Sequence, residues 1–198
     1  MRDVIILVGS LRKESFTRKI AKVLEHEAPQ ALSCTFVEIG DLPLYNPDLE
    51  AKRPPAEWVE FRERVQRADA VLFATPEYNR SVPGVLKNAI DVGSRPMEHS
   101  VWKGKPAAIV SVSPGAIAGF GANHHLRQML VFLDMPTLQA PEAYIGGVNK
   151  MLTDTGNLTS DSTRQFLAKF MAAFAEWIDR VGATVSHSGG KWESGRGN

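Results

Sequence analysis

The sequence predicts an α/β fold in three layers, with five parallel strands forming one sheet between two layers of helices. Two observations carry that expectation. Apolar runs of strand length alternate from end to end with stretches whose apolar residues recur at helical spacing. Such alternation implies a parallel sheet covered on both faces. The chain has 198 residues, most simply one domain with a sizeable core. Five strands in that length suit an open sandwich better than a barrel.

Taken in order, the predicted strands are Val4–Gly9, Cys34–Ile39, Ala70–Thr75, Ala107–Ser113 and a weaker Thr137–Ala140. Phe16, Ile20, Val23 and Leu24 form the first helical stripe, and Trp58, Phe61, Val65 and Ala68 the second. Leu86, Ala89 and Ile90 make a shorter third; Leu126, Met129, Leu130 and Leu133 make a fourth. A long last helix is marked by Phe166, Phe170, Phe174, Trp177 and Val181, with Leu167, Met171 and Ile178 widening its face. The proline-studded stretch Asp41–Pro55 reads as an ordered surface loop rather than a helix. The pattern is that of a flavodoxin-like sandwich over residues 1–184, followed by a flexible tail from Val185 rich in Gly and Ser.

Composition narrows the function classes. A net charge of +1 gives no electrostatic reason to expect nucleic acid or an anionic membrane as partner. Cys34 is the single cysteine, so intrachain disulfides and Cys-based zinc sites are excluded, and a reducing cytoplasm is the expected compartment. No signal segment and no membrane-length apolar run is evident.

In such a sheet, ligands sit beyond the carboxyl ends of the strands, where the strand order reverses. Three segments lie there. After the first strand comes Gly9-Ser10-Leu11-Arg12-Lys13-Glu14-Ser15-Phe16-Thr17, a loop with hydroxyls and a guanidinium at the start of a helix. Free backbone N–H groups at a helix N-terminus, joined by such donors, make a phosphate cradle. The loop matches neither the dinucleotide fingerprint nor the nucleotide triphosphate loop, which points to one terminal phosphate on a small cofactor. After the third strand, Pro76 and Pro83 stiffen Pro76-Glu77-Tyr78-Asn79-Arg80-Ser81-Val82-Pro83, whose amides and one aromatic face suit a flavin ring. After the fourth, Ser113-Pro114-Gly115 and the small residues that follow let a ring lie close to the backbone.

These segments resemble the NADPH-dependent FMN reductase family, and most closely its bacterial quinone and chromate reductase branch. The resemblance spans roughly Val4 to Val181. Its most specific element is Pro-Glu-Tyr-Asn-x-Ser-x-Pro-Gly-x-Leu-Lys-Asn-Ala-Ile-Asp, present without a gap from Pro76 to Asp91; the Gly-Ser-x-Arg-x-x-Ser start and His125-Leu126-Arg127-Gln128 add to it. The resemblance implies that Ser10, Arg12, Ser15, Phe16 and Thr17 hold the FMN phosphate. It implies that Pro76, Glu77, Tyr78, Asn79 and Arg80 line the ring and ribityl edge, with Ser113 and Gly115 on the far side. FMN would carry the redox step, with no obligate acid–base side chain and no metal. The implied cycle is ping-pong: NADPH or NADH passes hydride to flavin N5 and leaves, and an acceptor then docks on the same face. Quinones are the first expected acceptors, with chromate, ferric complexes, azo and nitro compounds as further candidates. A homodimer is implied, with Tyr45 and Asp91–Pro96 at its border, and a tetramer as the larger assembly. Thr17 stands where the family usually has Asn, and Arg80 where Tyr or Phe is common, a change expected to alter access or favour anionic substrates. Val92 and Gly93 replace bulkier residues, which is expected to widen the pocket mouth. Gly121 and His124 stand where near relatives carry Arg and Tyr at subunit contacts, and this weighs against the tetramer more than the dimer.

Other readings fare worse. Gly115, Gly119 and Gly121 imitate a dehydrogenase fingerprint, but after the fourth strand rather than the first, and the chain has no Tyr-x-x-x-Lys pair. His124 and His125 point about 100° apart on a helix and cannot chelate one metal together. Cys34 is expected to be an inert core thiol. Two other classes compete with the enzyme: a flavin-binding electron-transfer protein without direct NAD(P)H oxidation, and a cofactor-free interaction module. The first is disfavoured by near-neutral charge, the second by the intact loops.

Overall fold

The computed structural model describes residues 1–153 and 155–187, the last four by backbone alone. Its elements run β1 (Arg2–Val8), α1 (Phe16–His26), β2 (Leu32–Val37), α2 (Pro47–Lys52), α3 (Ala56–Arg67), β3 (Ala70–Thr75), α4 (Gly84–Gly93), β4 (Ala107–Val112), α5 (Phe120–Phe132), β5 (Ala143–Ile145) and α6 (Asp161–His187). The five strands form one parallel sheet in the order β2-β1-β3-β4-β5. This is the flavodoxin-like arrangement, and it reverses direction between β1 and β3.

Period-two alternation along β1 divides the core between two layers. Val4, Ile6 and Val8 face α1 and α6, where they meet Ile20, Leu24, Phe170 and Phe174. Ile5 and Leu7 face the other way, toward Trp58, Phe61, Leu86 and Leu126. Each helix turns its predicted stripe to the sheet: α1 buries Ile20 and Leu24, and α3 buries Trp58, Phe61 and Val65. The Phe and Trp stripe of α6 is core packing, with Phe170 and Phe174 at 1% and 0% exposure.

Three expectations need correction. The fifth strand is Ala143–Ile145, not Thr137–Ala140. Thr137 makes only an isolated bridge to Ala107, after which Pro141 has no N–H to extend a ladder. Within Asp41–Pro55 a short helix, α2, is present. Pro47 opens it rather than breaking it, with the Asn46 side chain accepting from the Asp48 N–H at 2.9 Å. Val92 and Gly93 do not widen a pocket mouth, because both are buried in the last turn of α4. A Cβ on Gly93 would lie 2.5 Å from the Trp102 indole, which fills that space and donates its Nε1–H to Ile90 O at 2.9 Å.

The Asp41–Tyr45 segment is held down by two side chains. Asn88 accepts from Tyr45 N–H at 2.8 Å and donates to Leu42 and Pro43 carbonyls, and the Trp58 indole donates to Pro43 O at 2.9 Å. The tail expected from Val185 falls, from residue 188 on, outside the described residues; α6 runs to His187.

Candidate functional site: three loops at the carboxyl ends of the strands

The sheet brings the three predicted loops to one edge. Gly9 N–H donates to Ala74 O at 2.8 Å, joining the end of β1 to the end of β3 at the point of reversal. Gly9 is closely packed: a Cβ there would lie 3.2 Å from Leu86, which would have to give by a few tenths of an ångström, and 3.4 Å from Pro76.

The loop after β1 is open toward ligand. Ser10 and Thr17 are 6% and 2% exposed, yet neither hydroxyl bonds to another group among the described residues. The N–H groups of Leu11, Arg12, Phe16 and Thr17 likewise find no acceptor there. Ser15 caps α1, its Oγ accepting from the Arg18 N–H at 3.1 Å, which leaves its own hydrogen to donate outward. Phe16 packs its ring against the core and offers only its backbone. Arg12 is exposed and forms no ion pair among the described residues. Accessible hydroxyls on otherwise buried residues, unmatched helix-start amides and the exposed guanidinium together suit a phosphate dianion.

The loop after β3 is built differently. Tyr78 and Ser81 exchange both backbone hydrogen bonds, at 3.0 and 2.9 Å, and the two residues between them have positive φ, 51° at Asn79 and 63° at Arg80. That is a two-residue turn of the primed type, compact and stiff. Pro76 is half-buried at its base, and Tyr78 is exposed.

Glu77 fastens this hairpin to the loop after β4. Its Oε2 accepts the Ala122 N–H at 3.1 Å, satisfying a donor in the first turn of α5, whose N-cap residue Gly119 has no side chain to offer. Its Oε1 lies 3.5 Å from the Arg80 guanidinium. The approach is so close that a Cβ on Gly121 would lie 2.8 Å from Arg80 O. Ser113 Oγ accepts from Gly115 N–H at 3.0 Å and shapes the turn, so Gly115 N–H is already engaged. Gly119, at φ 73°, reaches the left-handed region and sits against Ser111 and Glu77.

Sequence reasoning missed the cap made by Glu77 and the close approach at Gly121. It expected Glu77 among the ring-lining residues, but nothing in the local pattern signals a bond across 45 positions. His124 and His125 do diverge, the first 3.0 Å from Tyr144 Oη and the second 3.0 Å from Ser81 Oγ, and both are exposed. Phe120, His124 and Tyr144 form a surface aromatic cluster beside the third loop, with Phe120 and His124 centroids 4.1 Å apart. Burial first, then a hydrogen bond with Glu142, holds the Tyr144 hydroxyl above its ordinary pKa. Cys34, half-buried on β2, has its thiol pushed up to about 11 by burial and by the Glu25 and Asp3 charges. Among the described residues no group of His, Cys, Asp or Glu is placed to hold a metal, and no helix is long and apolar enough to cross a membrane.

The NADPH-dependent FMN reductase family matches residues 2–150. A quinone reductase of Pseudomonas putida is 62% identical over 176 residues, which cover 89% of this chain and 94% of that protein. A 2-hydroxy-1,4-benzoquinone reductase of a Burkholderia species is 43% identical, over 88% of this chain and 95% of its own length. Among solved structures, the flavoenzyme NAD(P)H:acceptor oxidoreductase FerB of Paracoccus denitrificans superposes with a TM-score of 0.85 at 42% identity, covering 91% of this chain and 98% of that one. The chain belongs to the NADPH-dependent FMN reductase family: a flavodoxin-like oxidoreductase whose cofactors are FMN and NAD(P)H.

Proposed function

We propose that the protein reduces quinones with electrons from NADPH or NADH, through FMN seated across the three loops. The observation that carries this reading is the donor set after β1, accessible to a ligand and unmatched among the described residues, beside two loops that complete most of their own hydrogen bonding. Ser10, Ser15 and Thr17 donate hydroxyls to the phosphate, Phe16 its backbone N–H, and Arg12 its guanidinium. Pro76, Glu77, Tyr78, Asn79 and Arg80 border the ring on one side, and Ser113 and Gly115 on the other. FMN, held by these residues, would supply the two-electron redox chemistry between nicotinamide and acceptor. In the net reaction NAD(P)H, a proton and a quinone give NAD(P)⁺ and a hydroquinone. The protein's part is placement: the Asn79 and Arg80 N–H groups, which find no acceptor among the described residues, would hold negative charge where it develops on the cofactor. The names of the Pseudomonas and Burkholderia relatives support a quinone as acceptor; chromate, ferric, azo and nitro compounds are secondary candidates.

The assembly proposed is a homodimer. A cavity of about 920 Å³ runs between α4 and α5, with Met129, Phe132 and Leu133 on its apolar wall. Phe132 and the neighbouring Val131 are 72% and 77% exposed, an apolar face that a second copy would cover. Asp91, Ser94 and Arg95 line the same cavity, which supports Asp91–Pro96 as part of the border. Residues 1–184 act as one domain, and the lone cysteine supports a cytoplasmic location.

The test is spectral and kinetic together. Purified protein loaded with FMN is expected to bleach near ~450 nm on adding NAD(P)H, as a flavin-borne redox step requires. It is expected to recover colour when a simple quinone is added. Bleaching only in the presence of a separate reductase would identify an electron carrier instead, and failure to bind FMN would overturn both.

A further inference from the structure

We propose that Arg80 selects the acceptor: its guanidinium, carried on the rim of the site by a rigid turn, pairs with the negative substituent of an anionic quinone. This rests on the quinone reductase reading above and names the substrate class within it.

The argument begins with the backbone. Arg80 is a non-glycine residue at φ 63°, in the left-handed region, and both hydrogen bonds closing the Tyr78–Ser81 turn hold it there. Its carbonyl abuts the first turn of α5 at Gly121, so Arg80 lies where the loops after β3 and β4 meet. Any flat ligand spanning those loops has this residue on its edge.

The side chain is uncommitted by comparison. It is 72% exposed, and its one partner among the described residues is Glu77, at 3.5 Å and without a hydrogen bond. Glu77 is only 14% exposed, but with the guanidinium itself in water and no hydrogen bond between them the pair holds Arg80 loosely. Glu77 is occupied in capping α5 through Ala122, a role that does not require Arg80. The guanidinium therefore keeps its fork of donors for a ligand, in a geometry suited to bidentate capture of a carboxylate, sulfonate or phenolate.

The neighbouring wall has the same sign. Lys87 is neutralised by Asp91 at 2.7 Å, but Arg95 bonds only the Ser94 carbonyl and hydroxyl and meets no carboxylate among the described residues. His125 lies beside Ser81, its Nδ1 3.0 Å from that hydroxyl. Glu77 offsets Arg80 and Asp91 offsets Lys87, so the positive excess on this rim comes from Arg95. A neutral quinone gains nothing from that excess, whereas an anionic one does.

The experiment uses the FMN-loaded protein and the variants Arg80→Gln and Arg80→Lys. Turnover with NAD(P)H is compared for naphthoquinone sulfonate and its uncharged parent, naphthoquinone. Arg80→Gln is expected to lower the ratio of kcat/KM, sulfonate over parent, by about fivefold, and Arg80→Lys to restore most of it. Added salt is expected to erode the wild-type ratio and leave the Gln variant's flat. Binding of redox-inert naphthalene sulfonate, followed by calorimetry, is expected to weaken by a similar factor in Arg80→Gln. A ratio and an affinity that both stay within twofold of wild type would overturn the proposal, as would failure of the wild type to bind naphthalene sulfonate. If the wild type reduces neither quinone, the quinone reductase reading fails, and calorimetry alone then decides the role of Arg80.

Discussion

The loop after β1 and the two loops after β3 and β4 differ in how much of their hydrogen bonding they complete within the protein. Among the described residues the first leaves the Ser10 and Thr17 hydroxyls and several amides without acceptors. The other two are closed by the Tyr78–Ser81 turn, the Glu77 cap on α5 and the Ser113–Gly115 bond. A charged phosphate can bring its own acceptors to an open cradle, so that loop leaves its donors ready. A flat, rigid ring brings no flexibility of its own and gains most from walls already fixed in place. One region is thus finished by its ligand, and the other is finished beforehand.

Substitutions can break this contrast. The largest effect is expected from Ser10→Asp. A carboxylate there occupies the free helix-start amides itself, keeping the unliganded fold, while repelling phosphate by several kcal/mol and weakening FMN by about a hundredfold or more. Fluorescence titration with FMN, set beside a melting curve of the apoprotein, separates the two effects. Arg12→Ala is expected to loosen FMN by about 1.5–3 kcal/mol, with apoprotein stability within about 0.5 kcal/mol of wild type. Unchanged FMN affinity in that variant would put the phosphate elsewhere.

Glu77→Ala should show the opposite signature. Losing the cap on Ala122 is expected to cost the apoprotein about 1 kcal/mol in denaturant unfolding, before any ligand is added. An undiminished midpoint would mean that the second and third loops are not held by Glu77. The smallest effect belongs to Thr17→Asn, which exchanges one donor for another at the buried edge of the cradle; FMN affinity is expected to move by less than about 0.5 kcal/mol. A large gain there would mean that the threonine hydroxyl points away from the phosphate.

Most of the fold is legible in the sequence because long periodic segments dominate it. Ile20 and Leu24, or Trp58, Phe61 and Val65, bury as their spacing predicts. The failures have physical causes. β5 is three residues long, too short for periodicity to mark, and a Thr-Leu pair upstream imitates it. Pro47 reads as a breaker, yet proline in a first helical turn surrenders no hydrogen bond. At the site, the loop residues after β1, β3 and β4 are legible because local chemistry defines them. The cap from Glu77 to Ala122 is not, since it depends on two strands ending side by side.

Gly93 and Trp102 also bear on how such a chain can change over evolutionary time. The indole occupies the volume that a side chain at position 93 would need. Enlarging position 93 alone drives a Cβ into a fully buried ring, and shrinking Trp102 alone leaves a void between Phe61 and Phe73. The two positions are therefore epistatic. A lineage passing between this pairing and a bulkier helix end with a smaller partner must make both changes nearly together, or cross an intermediate that folds poorly.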